Sequence, residues 1–175
     1  MKLRLIYILF SLGLILGDFS AFAQFKEATL GVEGLTCSQC TRSVEMSLRR
    51  LDFIQDVDMD LENTRAKISF KPKMQIDFFA IAKAVKNAGF SLGYVEALYL
   101  PEQEISQDQA SLKAGNFIYY TLDQQRFSNN PMHFLLLGKN MLSAKAKTRF
   151  EVSNQLMQAS KDSKGKRVPV FILKD

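Results

Sequence analysis

Hydrophobic and polar positions change period several times along the chain, and each change marks an element. From Phe25 to Val32 the period is two: Ala28, Leu30 and Val32 share one face and Glu27 and Thr29 the other, the pattern of a strand with one buried side. After Gly34 the period lengthens. Cys40, Val44, Leu48 and Leu51 recur at intervals suited to one helical face, which predicts a helix from about Ser38 to Leu51. Thr36 and Gln39 have the spacing of a capping box, with Ser38 as an alternative cap, and Arg49 and Arg50 complement the helix dipole at the far end. Two alternating strands follow. Val57, Met59 and Leu61 are interleaved with Asp56, Asp58 and Asp60, and Ala66, Ile68 and Phe70 with Arg65, Lys67 and Ser69. Glu62-Asn63-Thr64 is the turn between them, and the opposite charges of the two outward rows favour pairing as a hairpin. Pro72 ends the second strand. Asp77 caps a second helix to about Ala88, with Phe78, Ile81, Ala82 and Val85 inward and Gly89 as a left-handed stop. Ser91 to Leu100 is again strand-like, with Leu92, Tyr94 and Leu98 on one side and Val95 and Ala97 on the other.

The order from residue 24 to residue 100 is therefore β-α-β-β-α-β. It predicts an α+β domain of the ferredoxin-like kind: two interleaved right-handed βαβ units, a four-stranded antiparallel sheet and both helices on one face. Residues 101–114 are polar and rich in Gln and Glu, and read as a linker or a short exposed helix. Asn116 to Leu122 and Met132 to Leu137 are strand-like, the latter bounded by the turn signal Gly138-Lys139-Asn140. Residues 144–152 have the composition of a helix and the alternation of a strand, and the period decides for a strand. Asp162 to Lys166 is a turn and Val168 to Leu173 a last strand, which Pro169 places at an edge. Residues 115–175 are thus expected to form a small β-rich domain, a half-open barrel.

The first 23 residues stand apart. Lys2 and Arg4 precede an apolar run from Leu5 to Gly17, too short to span a bilayer comfortably, and Ala21-Phe22-Ala23 follows with the small-x-small cleavage pattern. The pattern predicts a signal peptide, with cleavage expected after Ala23, export to the periplasm or beyond, and no membrane span left in the mature chain; an uncleaved membrane anchor is the alternative. With 47% hydrophobic residues the remainder can build a packed core. The net charge of +5 is scattered, without a basic stripe interleaved with aromatics, so nucleic acid is not an expected partner.

Chemistry concentrates at Gly34-Leu35-Thr36-Cys37-Ser38-Gln39-Cys40, which carries both cysteines of the chain at a strand–helix junction. A thiolate pair there means soft-metal binding or thiol redox chemistry. Export makes a plain disulfide a further alternative, but so small a loop restricts the unfolded chain little, which makes it the weaker explanation of the spacing. A thiol–disulfide oxidoreductase shares the Cys-x-x-Cys spacing, yet the surrounding thioredoxin pattern is missing. Unpaired N–H groups and the dipole of the helix favour thiolate at Cys37 and Cys40. Two soft sulfurs with no His, Asp or Glu beside them suit a monovalent ion of low coordination number. Cu(I) leads, Hg(II) also accepts two thiolates, and Zn(II) prefers four ligands in a closed site. Elsewhere, Met132, His133 and Met141 are soft donors that read more simply as core and sheet residues, and the row Asp56, Asp58, Asp60 as a solvated sheet face. No nucleophile–base set, paired carboxylates or phosphate loop points to an enzyme.

Residues 34–40, with Val44, Leu48, Val57, Leu61, Ala66, Phe70, Pro72 and Ala88-Gly89-Phe90 behind them, resemble the heavy-metal-associated domain family of copper chaperones, metal-ATPase tails and periplasmic mercury-binding proteins. The resemblance implies Cys37 and Cys40 as metal ligands. It places Leu35 where the family usually has Met, a side chain packed beneath the loop that is not a ligand, and Leu is a volume-conserving swap. Thr36 belongs to the same motif. Phe90 falls at the late-loop position near the metal, where a neutral aromatic shields the site. The function implied is an exported, non-enzymatic protein that binds Cu(I) for transfer or buffering, with a metal-transporting ATPase or another metal-handling protein as partner. A periplasmic scavenger of mercury or another thiophilic metal is the alternative, and a thiol–disulfide oxidoreductase the second.

Overall fold

The computed structural model of the chain describes residues 24–101, 109–121, 124–152 and 166–173. The expected signal peptide and most of the expected turn at 162–166 lie outside the described residues. The elements are β1 (Gln24–Glu33), α1 (Ser38–Arg49), β2 (Ile54–Asp60), β3 (Arg65–Phe70), α2 (Phe78–Asn87), β4 (Ser91–Leu100), β5 (Ser111–Ala114), β6 (Phe117–Thr121), β7 (Met132–Leu136), α3 (Ala144–Arg149) and β8 (Arg167–Leu173). The first six form the expected βαββαβ unit, with strand order β2-β3-β1-β4 and every neighbour antiparallel.

Physical causes are visible at each step. Ala28, Leu30 and Val32 are buried along β1, and Val44 and Leu48 of α1 and Ile81 and Val85 of α2 are buried above the sheet. Asp77 caps α2 by accepting from the N–H groups of Phe79 and Ala80 at 2.9 and 3.1 Å. Ser47 Oγ donates to the carbonyl of Ala84 at 2.7 Å and ties the two helices together. Arg49 reaches from the end of α1 to Asp56 and to the carbonyl of Val57, fixing the helix to β2. In the hairpin, Asp58 lies opposite Lys67 and Asp60 opposite Arg65, the register that charge complementarity favours. The β4 alternation is broken at Gly93. A register shift there puts Leu92 in the main core with Val95, Ala97 and Tyr99, while Tyr94 turns to the opposite face of the sheet.

Asp60 offers a test of the hairpin. The Asn63 N–H first, then Arg65 and the Asn63 side chain, hold its carboxyl at about 2, below its ordinary 3.8. A depressed folded pKa contributes stability that is complete above the unfolded value and is lost as pH falls from about 4 to about 2. Asp60→Asn should therefore flatten the acid limb of the stability curve in that window, read by urea titrations at stepped pH. An acid limb identical to that of the parent would refute the assignment.

The segment after Leu100 differs from its expected form in four respects. Its strands do not close a barrel of their own. They continue the first sheet in the order β4-β7-β8-β6-β5, so that β4 becomes an interior strand of an eight-stranded mixed sheet. Part of the expected linker, Ser111–Ala114, is itself the strand β5 at the far edge. Pro169 is not at an edge, since β8 lies between β7 and β6. Its carbonyl accepts from Leu137, just past the end of β7, so the N–H that proline lacks is missed at the end of a ladder. Finally, Ala144–Arg149 is a helix where alternation predicts a strand. Ala, Lys and Arg are strong helix formers, Ser143 caps the turn by accepting from Ala146, and only Ala146 is buried, so six residues need no wide apolar stripe.

Candidate metal centre

The loop after β1 is shaped by Gly34, whose φ of +88° suits glycine and would strain any L residue. Leu35 then turns inward and is 3% exposed, seated beneath the loop in the main core. Thr36 and Cys37 are exposed, and Cys40 is half-buried against the core one helical turn later.

Neither Thr36 nor Ser38 is the cap of α1. The cap is Cys37 itself, in an extended conformation, with its Sγ accepting from the Cys40 N–H at 3.2 Å. Its carbonyl accepts from both the N–H and the hydroxyl of Thr41 at 3.1 Å. This geometry brings the two sulfurs together: the Cα atoms are 5.2 Å apart and the pair is joined as a disulfide. The first turn of α1 carries no acidic residue, so no like charge opposes thiolates when the bridge is reduced. Phe90 enters from the other side. It follows the α2 stop, its N–H donating to Val85, and its ring lies 3.6 Å from where a Cβ on Gly34 would be. The aromatic thus packs on the cysteine loop and presents no charge to it.

The weaker soft-donor candidates do not join this centre. Met132 is buried, its Sδ accepting from the Ser128 N–H, and Met141 is fully buried in the core. His133 follows Met132 on β7 and so points to the opposite face, where its Nδ1 lies 3.0 Å from Glu96. Asp56 and Asp60 are engaged by Arg49 and Arg65. Among the described residues no group of three or more His, Cys, Asp or Glu side chains converges.

Residues 29–91 match the heavy-metal-associated domain family. The chain is 31% identical over 67 residues to the copper chaperone CopZ of Bacillus subtilis, a match that covers 96% of that chaperone and 38% of this chain. The chain belongs to the heavy-metal-associated domain family. It is also 39% identical over 71 residues to a probable copper-transporting ATPase, HMA5, of Arabidopsis thaliana; that stretch is 41% of this chain but spans only 7% of the ATPase. Among solved structures, oxidized MerP from Ralstonia metallidurans CH34 is similar at 27% identity and a TM-score of 0.36, over 39% of this chain and 97% of that one. The heavy-metal-associated domain thus occupies the βαββαβ unit, and the strands beyond Leu100 lie outside the match.

Two features of the centre were not apparent from the motif. The capping role of Cys37 is one, and only the dihedral angles at the loop reveal it. The other is a neighbour: α3, from the C-terminal segment, stands beside Gly34, Leu35 and Thr36 across a shared cavity. The alternating pattern of residues 144–152 concealed that helix.

Proposed function

We propose that this protein is an exported, non-enzymatic carrier that holds one Cu(I) between Cys37 and Cys40 and either passes it on or buffers it. The observation that carries this reading is the convergence of two sulfurs, one exposed and one half-buried, at a helix start free of carboxylates. Such a donor set is soft, small and low in charge, which suits a monovalent thiophilic ion and leaves a four-ligand metal short of donors. Leu35 from beneath and Phe90 from the side keep the loop in place without competing as ligands. Because Cys37 is the exposed partner, an incoming thiolate from a receiving protein would reach the ion on that side and displace Cys37 before Cys40. The receiver would be a metal-transporting ATPase or another metal-handling protein. Export is supported by the basic start, the apolar run and the Ala21-Phe22-Ala23 pattern. Among the described residues no helix is long and apolar enough to cross a membrane.

The bridge between Cys37 and Cys40 makes the oxidation state the deciding variable, since a thiolate is the ligand and a disulfide is not. Anaerobic titration of the mature protein should show one-to-one uptake of Cu(I) by the reduced form and none by the oxidised form. Parallel titration with Hg(II) separates a copper carrier from a mercury scavenger by relative affinity. Reduced protein that takes up neither ion, or that turns over a disulfide substrate catalytically without metal, would overturn the carrier reading.

A further inference from the structure

The cavity beside the cysteine loop lies on the sheet face opposite α1 and α2, and has a volume of about 480 Å³. Its floor is β1 and β4 at Gly31 and Gly93. Gly31 is bare for a reason: a Cβ there would collide with the ring of Tyr94, which lies across it. One wall is the loop, through Leu35 and Thr36; the opposite wall is α3, through Lys145 and Arg149. The α3 wall is fixed to the floor, because Ser143 donates its N–H to the Gly93 carbonyl at 2.7 Å. That wall lies outside the part of the chain matched by the family, so the cavity forms where the C-terminal segment meets the βαββαβ unit.

Its charges are unspent. The Arg149 guanidinium sits 5.3 Å from the Tyr94 ring and 5.5 Å from the Phe150 ring, held by aromatic faces rather than by a carboxylate. Among the described residues neither Arg149, Lys145 nor Glu33, which lines the same cavity, makes an ion pair. Two cations on one wall call for a carboxylate. Glu33 in the same space repels a simple polyanion and calls for an ammonium. The Tyr94 ring and Ala146, which belong to the core on that face, call for an apolar body. A concave site of this volume with an apolar lining and a few charged groups is the form of a small-molecule site.

We infer that the cavity between the cysteine loop and α3 binds a small zwitterion, a free amino acid or a short peptide, with its carboxylate on Lys145 and Arg149 and its ammonium on Glu33. The site shares Gly34, Leu35 and Thr36 with the loop that carries Cys37, so its occupant would sit against the metal centre without being a ligand of it.

The test uses the full mature protein with the Cys37–Cys40 bridge intact, so the outcome is independent of metal binding. Trialanine is titrated into ¹⁵N-labelled protein and amide shifts are followed. Shifts confined to Gly31–Thr36, Gly93, Tyr94 and Ser143–Arg149 are expected. Amidating the trialanine carboxylate, acetylating its amine, or introducing Arg149→Gln or Glu33→Gln should each weaken binding at least tenfold, while Arg42→Gln on the opposite face should leave it unchanged. Both cavity variants alter exposed side chains, and an otherwise unchanged spectrum verifies their fold. Absence of shifts at millimolar peptide, shifts scattered over the surface, or equal binding of the blocked peptides would overturn the proposal. So would inorganic phosphate producing the same shifts at the same concentration.

Discussion

Cys37→Ser should lower the affinity of the reduced protein for Cu(I) by about two to three orders of magnitude. Four-ligand thiolate and imidazole sites bind metal with roughly 10–16 kcal/mol, or about 3–4 kcal/mol per ligand, and each 1.4 kcal/mol is a factor of ten. A two-ligand centre has no other donor to compensate, because the first turn of α1 carries no acidic residue and no third His, Cys, Asp or Glu converges there among the described residues. A serine hydroxyl is a hard donor and does not replace a soft one. The substitution also has an advantage as a probe. Cys37 is the N-cap of α1, and serine is among the residues most favoured at that position. Its hydroxyl would accept the Cys40 N–H that Cys37 Sγ now accepts. The fold should therefore survive, and lost binding cannot be put down to unfolding. Competition with a chromogenic Cu(I) chelator, alongside thermal melts of the same samples, measures both quantities. A variant that folds and still competes as well as the parent would show that the metal sits elsewhere. Cys40→Ser should give the same loss, since both sulfurs are needed to hold a two-coordinate ion.

The parts of this molecule that the residue pattern reveals are those where one physical signal acts alone. The βαββαβ unit is legible because period and breakers agree: Asp77 caps α2, Gly89 with a φ of +92° ends it, and the opposite charges of β2 and β3 meet across the hairpin while Val57, Ala66 and Ile68 face inward. The cysteine loop is legible because Gly34, Cys37 and Cys40 fall between a strand period and a helix period. Legibility ends where signals compete or where pairing is distant. At Ala144–Arg149 propensity and period disagree, and a capped six-residue helix needs so little buried surface that propensity prevails. At Gly93 a single bulge divides Tyr94 from Leu92; a glycine inside a strand hints at a bulge, but the alternation read without it puts Leu92 and Tyr94 on one face. The joining of β7 to β4 is hidden for a different reason. A buried interior strand and an isolated strand have the same alternation, and only the partner distinguishes them. The same point explains Pro169, which is tolerated in an interior strand because it falls where its neighbour has already ended. The cavity beside the cysteine loop inherits all of these difficulties, since it needs α3, the bulge and the β4–β7 pairing to exist at once.

Phe25→Ala should destabilise the whole chain, not one half of it, by about 3–5 kcal/mol, the usual range for removing a buried aromatic ring. Phe25 is on β1, yet it meets the C-terminal strands directly. Its ring lies edge-on at 5.0 Å from Phe78 and 5.4 Å from Tyr99, both of the βαββαβ unit. It lies at 5.1 Å from Tyr119 of β6 and 6.0 Å from Phe134 of β7. Phe134 in turn stacks on Tyr99 at 5.3 Å. All five rings are buried in the same core, so a cavity opened at Phe25 removes contacts from both segments together. For a chain of this size the loss corresponds to a fall in melting temperature of roughly 6–20 °C. Amide exchange provides the sharper reading. Ile68 of β3 and Val170 of β8 are both fully or nearly fully buried, on opposite sides of the β4–β7 junction. If the eight strands unfold as one cooperative unit, the variant should reduce the protection of both amides by the same free energy. Should Val170 keep its parental protection while Ile68 loses its own, the C-terminal strands would be a separate folding unit resting on the first. The shared aromatic core argues against that outcome, because no part of it can be rebuilt on one side while the other side is left open.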